Sequence, residues 1–346
     1  MLRLVGVSRR RGVTGVKGYV GVTIACPHSA TVTSMRTHRR LPLCLFVCSI
    51  LATMPAAMLP GGSLAAQGRV TPNTPRPIDA GSSLWAEELT FMEIRDLVKA
   101  GTTTIVIGTG GVEQNGPYVA GGKHNFVLQT VMPYIARAIG NTLLAPIVKF
   151  VPEGRIEPIT TGHMQYAGTI SLELATFELL LTDICRSYAA HGFQDVVLIG
   201  DSGGNQLGME NVAKALNARW IAEGKSARVH FLPEYYRQDQ WSYEYLKSQG
   251  IVQIDSMAAV GQARDRAADT RNGMHDDIYY EAQIAVQSPE LIRAPQRTKA
   301  GQLNLHGVDL SNMKKTVELG RKLAAYRADI TAKAFEKSRG QLRAPR

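Results

Sequence analysis

From residue 84 onward the chain alternates between two hydrophobic periods. Thr90 to Lys99 carries apolar residues at helical spacing and stops at Gly101, and Thr103 to Ile107 then reads as a strand. A second helical stretch, Asn125 to Ile139, ends at Gly140-Asn141 before the apolar run Leu143 to Phe150. Gly168 to Leu172 predicts a short strand, Leu174 to Ala190 a helix with Gly192 as its C-cap, and Val196 to Ile199 a strand buried on both faces. A helix from Gln206 to Ala222 and a strand from Arg228 to Leu232 follow, and the remainder is largely helical, ending in Ser311 to Glu336. Strands alternating with helices predict an α/β fold with a mostly parallel sheet covered on both sides. There is no internal repeat, and residues 84–340 read as a single domain.

The first 67 residues follow a different pattern. Residues 41–59 are an apolar run preceded by Arg36, Arg39 and Arg40 and followed by GGSLAAQ, a small-residue cleavage pattern. This predicts a signal peptide with translation starting at Met35, an exported (periplasmic or secreted) product, and no membrane span once the leader is removed. Residues 68–83, rich in Pro, Gly and Ser, read as a flexible tether.

Setting the leader aside changes the charge argument. The whole chain has 39 Lys and Arg against 29 Asp and Glu. Eight of the basic residues and none of the acidic ones lie in 1–67, which leaves 31 against 29. A near-neutral remainder lacks the clustered basic face that nucleic-acid binding requires. Of the four cysteines only Cys185 lies beyond the leader, so the exported chain forms no internal disulfide.

Two loops leave the carboxyl ends of predicted strands, where open α/β sheets place their chemistry. One is GTGGVEQNGPYVAGGKHN, after Thr103 to Ile107, and the other is GDSGGN, after Val196 to Ile199. GDSGG is the sequence around the nucleophile of trypsin-like proteases, but those are all-β. Gly200-x-Ser202-x-Gly204 in a strand-turn-helix context also fits a nucleophile elbow, with Asp255 or Asp269 and His275 or His306 as partners. The plainer reading is a tight turn in which Asp201 or Ser202 caps the next helix.

Four ordered segments decide between these readings. Gly111-Val-Glu-Gln-Asn-Gly-Pro-Tyr118 resembles the G-S-x-E-Q-H-G-P-H signature of the creatininase (creatinine amidohydrolase) family. Gly162 to Leu172 resembles its E-H-x-x-F-P-G-T-x-S-L segment, Gly200 to Asn205 its N-G-H-G-G-N loop, and Asn272 to Asp277 its H-A-G-x-x-E-T segment. The resemblance implies a three-layer α/β/α sandwich, a homo-oligomer, and hydrolysis of a small amide or cyclic amide by water activated on two divalent metals, zinc or manganese. Carried over by position, Glu113 matches the family's metal-binding Glu. Its His two residues on is Asn115, its bridging Asp is His124, its loop His is Ser202, and its later Glu falls at Asp276 or Asp277.

Two arrangements remain open. In one the site is rebuilt for one or two ions from Glu113, His124, Asp201, Asp276 and Asp277, with His163 and His275 nearby. In the other metal binding is lost, and the pocket binds a ligand or uses Ser202 as nucleophile with His124 or His275 as base. Asn115, Tyr118, His163 and Asn205 are the candidate substrate contacts in both. Cys185 and the aromatic cluster Tyr235, Tyr236, Trp241, Tyr243 and Tyr245 read as packing.

Overall fold

The computed structural model describes residues 69–159, 162–252 and 277–343. The leader, and His275 and Asp276 among the site candidates, lie outside these residues. Four strands, β1 (Thr104–Thr109), β2 (Thr142–Leu144), β3 (Asp195–Gly200) and β4 (Arg228–Phe231), form an all-parallel sheet in the order β2-β1-β3-β4. The helices between and after them are α1 (Phe91–Lys99), α2 (Lys123–Ile139), α3 (Leu174–Ala190), α4 (Asn205–Ala222), α5 (Gln238–Ser248), α6 (Ile278–Gln287), α7 (Ala294–Ala300) and α8 (Met313–Arg343). A two-stranded antiparallel ribbon, β5 (Asn304–Leu305) and β6 (Val308–Asp309), precedes α8.

The strand period of two sorts the central side chains between two cores. Val106, Val197 and Ile199 point to one face, packed by α2, α6 and α8. Ile105, Ile107, Val196 and Leu198 point to the other, packed by α1, α3 and α4. The result is an α/β/α sandwich whose middle strands, β1 and β3, are buried along their whole length. Among the described residues no helix is long and apolar enough to cross a membrane.

Local signals account for most element ends. Thr90 caps α1 with a full capping box, its side chain accepting from the Glu93 N–H while Glu93 reaches back to the Thr90 N–H. The segment read as a tether is fastened to this helix. Arg95 donates to the carbonyls of Pro72 and Thr74, and the Gly81 N–H bonds Glu93.

The apolar run Leu143 to Phe150 is mostly not strand, and the predicted strand Gly168 to Leu172 is not one. Of Leu143 to Phe150 only Leu143 and Leu144 join β2, because Pro146 has no N–H to give the ladder. The run then crosses the sheet end with single bridges, Trp85 to Leu144 and Thr109 to Val148, and leaves Phe150 exposed. Gly168 to Leu172 is an extended loop touching Val112 through one bridge at Ile170, beginning at Gly168 with φ +91°.

Candidate active site

Thr109 and Gly200, the last residues of β1 and β3, are register partners, so the loops that follow them emerge side by side. The first loop is pinned by Asn125 of α2, which accepts from the Gly111 N–H at 3.3 Å and donates to the Gly111 carbonyl at 2.8 Å. Gly111 has φ +155° and no room for a side chain, because a Cβ there would meet Glu153 Oε1. The second loop turns directly into α4. Asn205 ties the two together, donating at 2.9 Å to the Thr109 carbonyl, the Thr109 hydroxyl and the Gly110 carbonyl.

This frame presses six charged groups into a buried cluster. His124 Nε2 lies 2.8 Å from Glu113 Oε1, and its Nδ1 lies 2.7 Å from Asp201 Oδ2. Lys123 Nζ is 3.3 Å from Glu113 Oε1, and His163 Nε2 is 3.2 Å from Glu113 Oε2. On the far side Arg327 of α8 reaches Asp201 Oδ1 at 2.7 Å, and the Tyr235 hydroxyl donates to the same oxygen at 3.0 Å. His124, Lys123, Glu113, Asp201 and Arg327 are all at most 2 % exposed. Only His163, about one fifth exposed at its side chain, reaches toward solvent.

An imidazole with a carboxylate at each nitrogen must carry a proton on both to satisfy them. Burial alone would lower the His124 pKa, but the charge of Glu113 and the bonds to Asp201 and Glu113 outweigh it and hold the group up at about 9. Burial likewise works against ionised Asp201, yet Arg327 and His124 keep its carboxyl below the usual range. His163 is pushed down, mainly by burial.

A seventh group completes the cluster. The Ser202 hydroxyl donates to Glu153 Oε2 at 3.0 Å, with Ser202 and Glu153 both buried. Burial first, then the negative charge of Glu113, raises the Glu153 carboxyl to about 8.

The structure thus brings Glu113, His124, Asp201 and Ser202 of the two loops together, with His163 of the Gly162 to Leu172 segment beside them. It corrects several roles. Ser202 is served by Glu153, and His124 cannot act as its base because both imidazole nitrogens are committed to carboxylates. The Asn115 amide nitrogen donates to the carbonyls of Glu113 and Ala120 and shapes its own loop, while its Oδ1 is buried without a partner. The Asn205 amide nitrogen is likewise engaged by the backbone with its Oδ1 left over, and the Tyr118 hydroxyl bonds Gln302 while its ring lies under Arg297. Asp277 is buried at the N-cap of α6. A cleft of about 640 Å³ lies at the opposite end of the sheet beside Phe193, Gln194 and Ala227 and touches none of these groups.

Lys123, Glu153, Tyr235 and Arg327 were not singled out as site residues by the sequence. A signal existed for Arg327, which interrupts the buried stripe Leu323, Ala324, Ala328, Thr331 and Phe335 of α8. A charge at such a position requires a buried partner.

A parallel α/β/α sandwich places its small-molecule sites at the carboxyl ends of the strands, where this polar cluster lies. Comparison gives the family. The signature of the family described as Creatininase: Creatinine amidohydrolase matches residues 87–330, and the chain belongs to that family. A creatinine amidohydrolase of Pseudomonas putida is 27 % identical over 125 residues, which are 36 % of this chain and 47 % of that protein. The chain therefore matches about half the length of this curated relative. Among solved structures, a creatinine amidohydrolase (creatininase) superposes with a TM-score of 0.51 at 17 % identity, covering 77 % of this chain and 100 % of the other. A structure described as Creatininase Mn and a mutant creatininase of Zn-Zn type each give 0.51 at 18 % identity, covering 76 % of this chain and 100 % of theirs.

Those neighbours contain manganese or zinc, and the residues here can be tested for the same role. At the four positions carried over from the family in the first three loops, only Glu113 keeps its type. The His124 imidazole has a carboxylate oxygen within 2.8 Å of each nitrogen, and Asp201 has both oxygens engaged by Arg327, Tyr235 and His124. Among the described residues no three His, Cys, Asp or Glu side chains are disposed to hold an ion. The set does not fit a two-metal centre.

Proposed function

We propose that the chain hydrolyses a C–N bond in a small amide or cyclic amide, with Ser202 and Glu153 at the reacting atoms. The observation that carries this reading is the 3.0 Å contact from the Ser202 hydroxyl, in the loop that resembles the family's N-G-H-G-G-N segment, to the Glu153 carboxyl. In this scheme Ser202 Oγ attacks the carbonyl carbon as its proton passes to ionised Glu153. The proton then moves to the departing nitrogen as the C–N bond breaks, and water hydrolyses the resulting ester. His124, whose positive charge acts on Glu153, favours the negative charge that develops on the carbonyl oxygen. Because Glu153 accepts a proton only when ionised, turnover rises with pH through about 8. The leader-like pattern of residues 1–67 supports an exported product, and the family resemblance supports a homo-oligomer.

The test combines a fluorophosphonate probe with a panel of small linear and cyclic amides. Labelling lost in Ser202→Ala, with turnover reduced at least ~100-fold in Ser202→Ala and Glu153→Gln, is the expected result. A wild-type protein that neither labels nor turns over any amide sinks the reading. The fold would then serve ligand binding without catalysis.

A further inference from the structure

We propose that Lys123 and Arg327 stand in for the two divalent ions of the family's site, so that this chain holds its polar cluster together with fixed organic cations and binds no metal there. This goes beyond the reaction proposed above and does not depend on which group attacks the substrate.

The argument begins with position. Lys123 precedes His124, which occupies the place of the family's bridging carboxylate, and its Nζ lies 3.3 Å from Glu113, the retained ligand-type residue. Arg327 sits 2.7 Å from Asp201, in the loop where the family has its histidine ligand. Each cation therefore neutralises a carboxylate on one side of the His124 ring, as two ions flanking a bridging ligand would.

Burial makes the substitution costly to reverse. Lys123 and Arg327 are both 0 % exposed. Lysine and arginine are almost never fully buried unless paired, and each is further anchored here. Arg327 Nε and Nη2 donate to the Tyr235 carbonyl at 3.1 and 3.0 Å, and the guanidinium lies 3.7 Å from the Tyr235 ring centre. Lys123 Nζ lies 4.4 Å above the Tyr280 ring. These second contacts are made to groups that bind no metal, so they fix the cations independently of the carboxylates.

Charge decides the matter. Lys123 and Arg327 neutralise Glu113 and Asp201, and Glu153 is at most the third negative charge of the cluster. Two divalent ions added to Lys123 and Arg327 would set six positive charges against three, even with His124 neutral. Counting Asp277 as well leaves six against four. An uncompensated charge in a buried site costs several kcal/mol per ion, which the available ligands cannot offset.

The experiment measures metal directly and is blind to turnover. Purified protein is incubated with zinc or manganese, dialysed, and assayed by elemental analysis, and its melting temperature is read with each metal and with EDTA. Less than about 0.2 equivalents of either ion, with unchanged melting, is the expected result. At or above that occupancy, or with melting that falls in EDTA, the proposal is overturned. The double variant Lys123→Gln/Arg327→Gln removes the stand-ins and leaves Glu113 and Asp201 without their fixed cations, so it should gain a manganese- or zinc-dependent rise in melting temperature that wild type lacks. A folded double variant with no such rise also overturns the proposal. If it does not fold, the occupancy of wild type alone decides.

Discussion

Replacing Arg327 with Met removes the buried cation and nearly preserves the volume of its stem. Asp201 would keep the Tyr235 hydroxyl and His124 but lose the 2.7 Å guanidinium contact, and the Tyr235 carbonyl would lose two donors. Breaking one partner of a buried ion pair typically costs about 3–5 kcal/mol, chiefly because the remaining charge stays buried. With a urea m-value near 3 kcal/mol/M, as expected for a domain of this size, about 4 kcal/mol lowers the unfolding midpoint by roughly 1.3 M. Asp201→Asn alone should cost about 3 kcal/mol by the same reasoning. The decisive measurement is the double variant. If the two groups act as a pair, Asp201→Asn/Arg327→Met loses about 4 kcal/mol rather than the additive ~7, a coupling near 3 kcal/mol. A midpoint shift below about 0.3 M for Arg327→Met, or additive losses in the double variant, would refute the buried-pair account.

The cluster also fixes a pH dependence. His124 has its folded pKa raised from 6.5 to about 9, so its contribution is fully present below pH 6.5 and is lost as pH rises through 9, about 3 kcal/mol in all. Glu153, raised from 4.5 to about 8, acts with the same sign at lower pH. Urea midpoints measured from pH 6 to 9.5 should therefore fall, and His124→Gln should flatten the alkaline part of that slope. Asn205→Ala removes a donor to three buried acceptors and should cost about 2–3 kcal/mol in the same assay. Gly320→Ala puts a Cβ 2.0 Å from the Ala282 carbonyl where α8 crosses α6, and should destabilise by about 3 kcal/mol although Ala is the better helix former. A neutral Gly320→Ala would show that the two helices can separate at no cost.

Elements built on long periodic stretches were legible in the sequence. Leu174 to Ala190 matches α3 at both ends, and Val196 to Ile199 falls one residue short of β3 on each side. Leu143 to Phe150 could be read only as an apolar run, because such a run records burial without recording hydrogen bonding. Its residues Leu143, Leu144, Ala145 and Val148 are buried, but Pro146 redirects the backbone and makes most of the run a crossing segment. That crossing has a consequence for the site, since it delivers Glu153 to Ser202 from a segment without any motif.

The site divides along the same line. Glu113, His124, Asp201 and Ser202 were found because they sit in glycine-rich loops after strands, where position alone identifies them. Lys123, Glu153 and Arg327 act through their charge on those four, and a compensating charge can come from any element that packs nearby. Arg327 lies 126 positions after Asp201, on a helix whose remaining buried residues are mostly apolar. What the sequence showed was a ligand set losing its types one by one: Asn115, His124, then Ser202. What it could not show was that two buried cations had arrived to balance the carboxylates left behind. A lost ligand and a gained counter-cation are two halves of one substitution, and only the first half lies within a motif.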